Sequence, residues 1–357
     1  MNKDSKIALY GATGFTGRLI AGLLAKDGWS FRLAGRSEER LKELAKELQE
    51  TWGVSVEVAV AAVEEEDELD AMLSGVYLLI NAAGQFSEIG KPLVNAALRT
   101  TTHYLDTTGE QSHIRWVEQQ HEEGRKRGLI LMPACAFEFA LGDLAAEIAW
   151  TNAASRIVVA YVLDNMKLSH GTKKSIVRAF SENGVTFLDG GHVEKKVGYT
   201  LFDVPLPDGG SKKGAWVPGG EAITVPRRGG VSRVETCLVV GEGTAYLAAT
   251  ISGILPSLLR VVRPMADKMV EQSSGDPHHG GDENLEFLVV AFDPKTSLPY
   301  ATLRGEDIYR TTAKIAVEAA RRVLTLDLPK RGFVGAADLF DVPEFLEAIG
   351  VEIVAAK

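Results

Sequence analysis

The stretch Lys6-Ile7-Ala8-Leu9-Tyr10-Gly11-Ala12-Thr13-Gly14-Phe15-Thr16-Gly17-Arg18 decides the fold. An apolar run enters three glycines spaced G-x-x-G-x-x-G. A helical pattern follows, with Leu19, Ile20, Leu23 and Leu24 on one face. Strand, tight glycine turn and helix together make the phosphate-binding corner of a dinucleotide fold. Gly11 permits the sharp turn, Gly14 lets backbone approach a pyrophosphate, and Gly17 lets helix and strand pack closely. The helix start then offers unpaired N–H groups to phosphate. Gly11, Ala12, Thr13, Gly14, Phe15, Thr16 and Gly17 are therefore expected to line a cofactor. A glycine-rich turn without a ligand is the plainer alternative, and the flanking strand and amphipathic helix argue against it.

Outward from this corner, Phe31-Arg32-Leu33-Ala34 reads as a second strand ending in Gly35-Arg36-Ser37. An NAD binder usually carries an acid here for the ribose 2′-hydroxyl. Arg36 stands in its place, and a guanidinium suits a 2′-phosphate through bidentate, charge-assisted bonds. Arg36, with Ser37 and Arg40, predicts NADP(H) over NAD(H). Ser37 also suits the N-cap of a helix over 37–50, with Leu41, Leu44, Ala45 and Leu48 on one face. A third strand is expected over 54–60.

Val76-Tyr77-Leu78-Leu79-Ile80 is an unbroken apolar run, as in a parallel strand buried on both faces. It ends in Asn81-Ala82-Ala83-Gly84, whose small side chains suit a flat group lying against backbone. A helix over 90–99 and a fifth strand, His103-Tyr104-Leu105-Asp106, follow. Asp106-Thr107-Thr108-Gly109-Glu110 is the first polar cluster placed for chemistry, at the strand end where ligands bind. Thr107 with Glu110, and Thr108 with Gln111, also fit a helix capping box. A helix to about Arg127 and a sixth strand, Leu129 to Met132, lead to Pro133-Ala134-Cys135. Cys135 reads as a small apolar filler, since no base stands near it in sequence. Residues 141–150 close a first domain.

These residues resemble the saccharopine dehydrogenase-like oxidoreductases, a group that includes trans-acting enoyl reductases working beside polyketide synthases. The carriers are Tyr10 to Arg18, Ala34-Gly35-Arg36, Asn81 to Gly84, Gly90 to Ala97 and His103 to Glu110. The likeness spans about the first 150 residues and is more specific than the glycine triplet alone. It implies an NADP-binding Rossmann domain and a second α+β domain closing over it. The family tends to carry Cys-Gly-Phe-Asp after the sixth strand; this chain has Cys135-Ala136-Phe137-Glu138.

The character changes after Asn152. Residues 156–163, 223–225, 234–240 and 285–292 read as strands, with short strands over 184–204. A helix is expected after Ser169-His170-Gly171-Thr172 and another over 308–324. Thr244 to Leu259 carries no charge. It reads as a core or dimer-buried helix, with peripheral membrane contact the weaker reading. Asp276 to Glu283 holds two adjacent histidines in a Gly/Pro-rich loop whose spacing fits no common metal site, so no metal is expected.

With 357 residues the chain has room for two domains. A net charge of −9 implies no basic face for nucleic acid. Two cysteines make no disulfide framework, and the polar 1–6 stretch leads straight into a strand, so a cytoplasmic setting is expected. The expected fold is α/β: a Rossmann-type doubly wound parallel sheet over 1–150, on which 331–357 is expected to pack back, with a second α+β domain over 151–330 containing a largely antiparallel sheet. The expected function is NADP(H)-dependent reduction of a C=C, C=N or C=O bond in a small-molecule or acyl substrate, by a homodimer. A non-catalytic NADP(H)-binding regulator is the rival. Asp106 and Tyr104, then His103 and Glu110, are the candidate proton donors. The substrate is expected in a cleft at the strand ends, roofed by the second domain.

Overall fold

The computed structural model describes residues 7–152, 154–163, 183–240 and 285–356. The expectations for residues 1–6, the helix after Ser169–Thr172, the 244–259 segment and the 276–283 loop lie outside these. The chain divides into two compact units. The first comprises residues up to Thr108, Ser112–Phe137 and Tyr309–Leu339; the second comprises Gly109–Gln111, Glu138–Ile308 and Phe340–Lys357.

The first unit alternates strands and helices: β1 (Ile7–Tyr10), α1 (Phe15–Lys26), β2 (Phe31–Gly35), α2 (Glu38–Trp52), β3 (Glu57–Val60), α3 (Glu66–Leu73), β4 (Leu78–Asn81), α4 (Phe86–Arg99), β5 (His103–Asp106), α5 (Gln111–Glu118), α6 (His121–Lys126) and β6 (Ile130–Met132). Parallel pairing gives the order β6-β5-β4-β1-β2-β3. The order reverses between β1 and β4, which is where such sheets bind ligands. β1 and β4 are buried along their whole length, as their unbroken apolar runs require.

The second unit holds α7 (Phe137–Thr151, whose first residue belongs to the first unit), β7 (Arg156–Leu163), β8 (Gly184–Leu188), β9 (Gly191–Lys195), β10 (Leu201–Pro205), β11 (Ser211–Val217), α8 (Glu221–Thr224), β12 (Arg233–Val240), β13 (Glu286–Phe292) and β14 (Pro299–Glu306). Next come α9 (Ile308–Thr325), β15 (Gly332–Phe333), α10 (Ala336–Leu339), α11 (Val342–Ile349) and β16 (Glu352–Ala356). Nine described strands form a largely antiparallel sheet, with β7 and β12 its parallel neighbours. Alternate residues Val158, Ala160, Val162, Cys237, Val239, Val290 and Phe292 pack with Phe202, Val204 and Trp216 as one core face. This is the two-residue strand period expressed as burial.

The unit boundaries differ from those read along the chain. All of α9 after Ile308 belongs to the first unit, with β15, which pairs with β6 as a seventh strand. Residues 340–357 belong to the second unit instead, where β16 pairs with β14. Sheet pairing, not proximity in sequence, sets these memberships.

Local readings also change. Ile223-Thr224-Val225 is not a strand: Glu221–Thr224 is helical, and Val225–Arg228 continues as a 3-10 turn. Three β-branched residues are too few to impose a period, and Pro226 offers no ladder donor. α4 begins at Phe86, a turn before the expected Gly90, and carries Pro92 inside it.

Candidate functional site

The glycine corner forms as its spacing requires. Gly11 has φ +77, and a Cβ there would lie 2.6 Å from the Ala83 nitrogen at the end of β4. A Cβ on Gly17 would lie 2.2 Å from the Gly11 carbonyl oxygen. Gly11 thus lets two strand ends meet, and Gly17 lets α1 sit against the turn. Gly14 differs. It is exposed, caps α1, and an added Cβ would meet only the Gly11 oxygen, at 3.3 Å. No side chain caps α1, so its first N–H groups face outward with the positive end of the helix dipole. Phe15 is fixed beside this turn by an edge-on contact with Tyr309, ring centroids 5.0 Å apart.

The end of β2 supplies the charge. Arg36 is exposed, and among the described residues it has no hydrogen bond or ion pair. Burial raises the Tyr10 hydroxyl to about 12, and the Arg36 guanidinium acts against that rise. Ser37 caps α2 by accepting from the Arg40 N–H at 3.5 Å. Arg40 donates to the Thr13 carbonyl at 3.1 Å, tying α2 to the glycine turn. A free guanidinium, an uncapped helix start and an open Gly14 fit the 2′-phosphate and pyrophosphate of NADP(H).

At the end of β4, the Ala82 N–H donates to the Tyr10 carbonyl at 2.9 Å, and the Ala83 N–H donates to Asn81 Oδ1 at 3.0 Å. Asn81 itself is fully buried and donates through Nδ2 to the Tyr104 hydroxyl at 3.2 Å. Asn81 therefore shapes this edge from within, while Ala82, Ala83 and exposed Gly84 present its surface.

The expected proton donors on β5 are placed for other work. Asp106 is fully buried. Its Oδ1 accepts from the Thr108 N–H at 3.0 Å and the Ala134 N–H at 2.9 Å, and its Oδ2 pairs with His113 Nε2 at 2.8 Å. Tyr104 is fully buried, and burial followed by the nearby Asp106 charge puts its pKa well above the usual tyrosine value. His103 accepts from the Ile130 N–H through Nδ1 at 2.9 Å; burial, aided by Arg331, pushes its pKa down to about 4. Glu110 is 6% exposed. Neither Asp106 nor Tyr104 presents an atom to a ligand, and His103 is neutral near pH 7. The expected capping box is also replaced. Asp106 takes the Thr108 N–H, so residues 107–110 form a loop and α5 starts at Gln111.

His113 is the partner that sequence reading missed. Its ring is fully buried, and a Cβ on Gly90 would lie 2.3 Å from its Cε1. The only sequence signal is Gly90 inside α4, at a position that gains nothing from flexibility. Asp106 and His113 together hold the ends of β5 and β6. Ala134 is in the left-handed region at φ +59, pinned by Asp106 Oδ1, and the Cys135 N–H donates to the Asp106 carbonyl at 2.6 Å. Cys135 is buried, and burial raises its thiol pKa, as befits a filler.

Comparison with known proteins gives the same reading of this edge. Residues 7–132 match the family model of the saccharopine dehydrogenase NADP binding domain. A trans-acting enoyl reductase of Mycobacterium leprae is 34% identical over 148 residues, 40% of this chain and 34% of that protein. A lipid droplet localized protein of Caenorhabditis elegans is 30% identical over 146 residues, 39% of this chain and 34% of that protein. The matches thus span about a third of these relatives' own length. The solved apo saccharopine dehydrogenase (L-Glu forming) of Saccharomyces cerevisiae covers 98% of this chain and 100% of its own, with a TM-score of 0.59 and 13% identity. At that identity the likeness is one of fold. Among the described residues, no helix is long and apolar enough to cross a membrane. Residues 7–132 are thus similar to a saccharopine dehydrogenase NADP binding domain.

Proposed function

We propose that the protein is an NADP(H)-dependent oxidoreductase that reduces a C=C, C=N or C=O bond of a small-molecule or acyl substrate. The observation that carries this reading is the pairing of an uncapped glycine corner with an exposed, unpaired Arg36 at the next strand end. A bound nicotinamide supplies a hydride, and the protein supplies orientation, electrostatics and exclusion of water. Relatives named trans-acting enoyl reductase favour an acyl substrate with a C=C bond. A cytoplasmic homodimer, without nucleic acid as partner, completes the proposal; the net charge of −9 supports its last part.

The burial of Tyr104 and Asp106 favours a second reading, a non-catalytic NADP(H)-binding regulator. Fluorescence titration with NADPH and NADH, followed by NADPH consumption with enoyl thioesters, imines and carbonyls, separates the two. Binding without consumption across the panel supports the regulator; binding of neither cofactor defeats both. Gly14→Val is the companion variant. Its Cβ would meet only the Gly11 carbonyl oxygen, at 3.3 Å, which has to give by a few tenths of an ångström, so the fold should persist at a small cost in stability while the pyrophosphate path is blocked. Retained NADPH affinity in Gly14→Val removes Gly14 from the site.

A further inference from the structure

A dinucleotide lies across the switch point of such a sheet, with its two halves on opposite sides. Arg36 at the end of β2 marks the adenosine half. The nicotinamide half then falls to the ends of β4 to β6, and the glycine corner alone does not aim it there. A side chain from the far end of the chain reaches this corner. Phe15, the first residue of α1, follows Gly14 directly and so flanks the path of the pyrophosphate. Its ring meets that of Tyr309 edge to face, with centroids 5.0 Å apart and planes at 84°. Both rings are only partly buried.

The start of α9 is held at the strand-end edge by several contacts, all inside the first unit. α9 leads into β15, which runs parallel to β6, so the helix has to begin at the edge where the strands end. Thr312 Oγ1 accepts from the Phe137 N–H at 3.0 Å. The Ile315 carbonyl accepts from the Cys135 thiol at 3.8 Å. Both donors follow the end of β6 at Met132. The first two turns of α9 thus touch the residues after β6 and, through Tyr309, the turn after β1. In the order β6-β5-β4-β1-β2 these two points enclose the ends of β4 and β5, and Arg36 lies beyond β1 on the other side. Tyr309 therefore stands on the nicotinamide side of the corner.

We propose that Tyr309 is a cofactor-positioning residue: it holds the Phe15 ring edge-on, and the paired rings form a wall that turns the nicotinamide riboside toward Asn81–Gly84, an inference that rests on the NADP(H)-binding reading above. At the first position of a helix no preceding turn restrains a side chain, so a contact from outside the helix contributes to fixing Phe15. The edge-on arrangement sets the positive ring edge of one residue against the negative face of the other. Packing of α9 alone would be met by two buried aliphatic side chains. Here two aromatic rings keep part of their surface exposed beside Gly14. The contact is made by the Tyr309 ring, so a phenylalanine there should serve as well.

Full-length wild type is compared with Tyr309→Ala, Tyr309→Phe, Phe15→Leu and the double variant Phe15→Leu/Tyr309→Ala. The probes are NADPH and adenosine 2′,5′-bisphosphate, which has the adenosine and the 2′-phosphate but no nicotinamide. Tyr309→Ala should weaken NADPH about twofold to tenfold, the range of an aromatic pair, and leave adenosine 2′,5′-bisphosphate unchanged. Tyr309→Phe should match the wild type with both probes. The nicotinamide fluorescence of bound NADPH should move toward that of the free cofactor in Tyr309→Ala, a readout that needs no turnover. Phe15→Leu should show the same selective loss, and the double variant should lose no more than the larger single loss, because the two rings act as one wall. Melting temperatures identify a variant that fails to fold, in which case Tyr309→Leu takes the place of Tyr309→Ala. Unchanged NADPH affinity, equal weakening of both probes, or additive losses in the double variant each overturn the inference and leave the NADP(H) reading standing. A wild type that binds neither probe overturns that reading, and the inference falls with it.

Discussion

At Gly11 and Gly17 a methyl group would strike backbone, and at Gly142 and Gly219 it would strike the Glu221 carboxylate. The first pair draws strand end and helix together and leaves the space beyond exposed Gly14 open. The second pair clears a slot that the protein fills with its own carboxylate. In the first region the polar groups left over are backbone N–H groups facing outward, ready for an anion. In the second they are a buried acid, a tyrosine and a threonine that satisfy one another. Glycine serves ligand access in one place and an internal polar network in the other. The first arrangement costs little stability when the ligand is absent, because water satisfies its donors. The second has no such reserve, since each buried group depends on its partners.

The largest effect should come from breaking a buried network of the first unit, the one around Asp106. Asp106→Ala leaves the His113 Nε2–H and the Thr108 and Ala134 N–H groups without their acceptor. Removing one member of such a buried pair costs about 3–5 kcal/mol. Chemical denaturation should show that loss before any effect on NADPH is considered. Full stability in Asp106→Ala would mean that the carboxylate is not the brace its contacts imply.

The two regions also differed in how far the sequence revealed them. The Gly11–Gly17 corner is contiguous, so each glycine can be judged by the strand before it and the helix after it. Arg36 was legible because a fixed strand end gave it a position with an expected residue type. Asp106 was legible as a placed acid but not as a buried one, since its direction depends on Ala134 and His113, which the chain brings to it from 28 and 7 residues away. The Glu221 slot uses residues 139, 142, 161, 219, 221 and 236, each unremarkable in its own window. Only the pairing of β7 with β12 brings Tyr161 and Thr236 toward one carboxylate. The same non-local pairing placed β15 with the first unit and β16 with the second.

The next effect concerns that slot. Burial raises Glu221 to about 7, against the donors Tyr161 and Thr236, which act to lower it. The folded pKa thus lies above the unfolded one. Below about pH 4 both states hold the proton, and the shift has no effect on stability. Between pH 4.5 and about 7 the unfolded chain releases the proton while the folded protein keeps it, so stability falls as pH rises through that window. The full difference is on the order of 3 kcal/mol. Glu221→Gln cannot titrate, so its stability relative to wild type should improve from pH 4.5 to 7 and then level off. Parallel curves for the two proteins would show that Glu221 ionises normally, and the slot would be no drier than the glycine corner.

The smallest effect is in the glycine-corner region and should spare stability altogether. Arg36 is exposed and unpaired among the described residues, so Arg36→Ala removes no internal contact. Its melting temperature should match that of the wild type. The 2′-phosphate, in contrast, loses a charged hydrogen-bond donor, which should weaken NADPH by about 1.5–3 kcal/mol. NADH has no 2′-phosphate, so its affinity should hardly move. Arg40 and Ser37 cannot simply replace the lost guanidinium, because Arg40 already donates to the Thr13 carbonyl and Ser37 caps α2. Titrations of both proteins with both cofactors check the selectivity. Equal binding of NADPH and NADH by the wild type would remove Arg36 from the site, and the open space at Gly14 would then serve a dinucleotide without regard to its 2′ group.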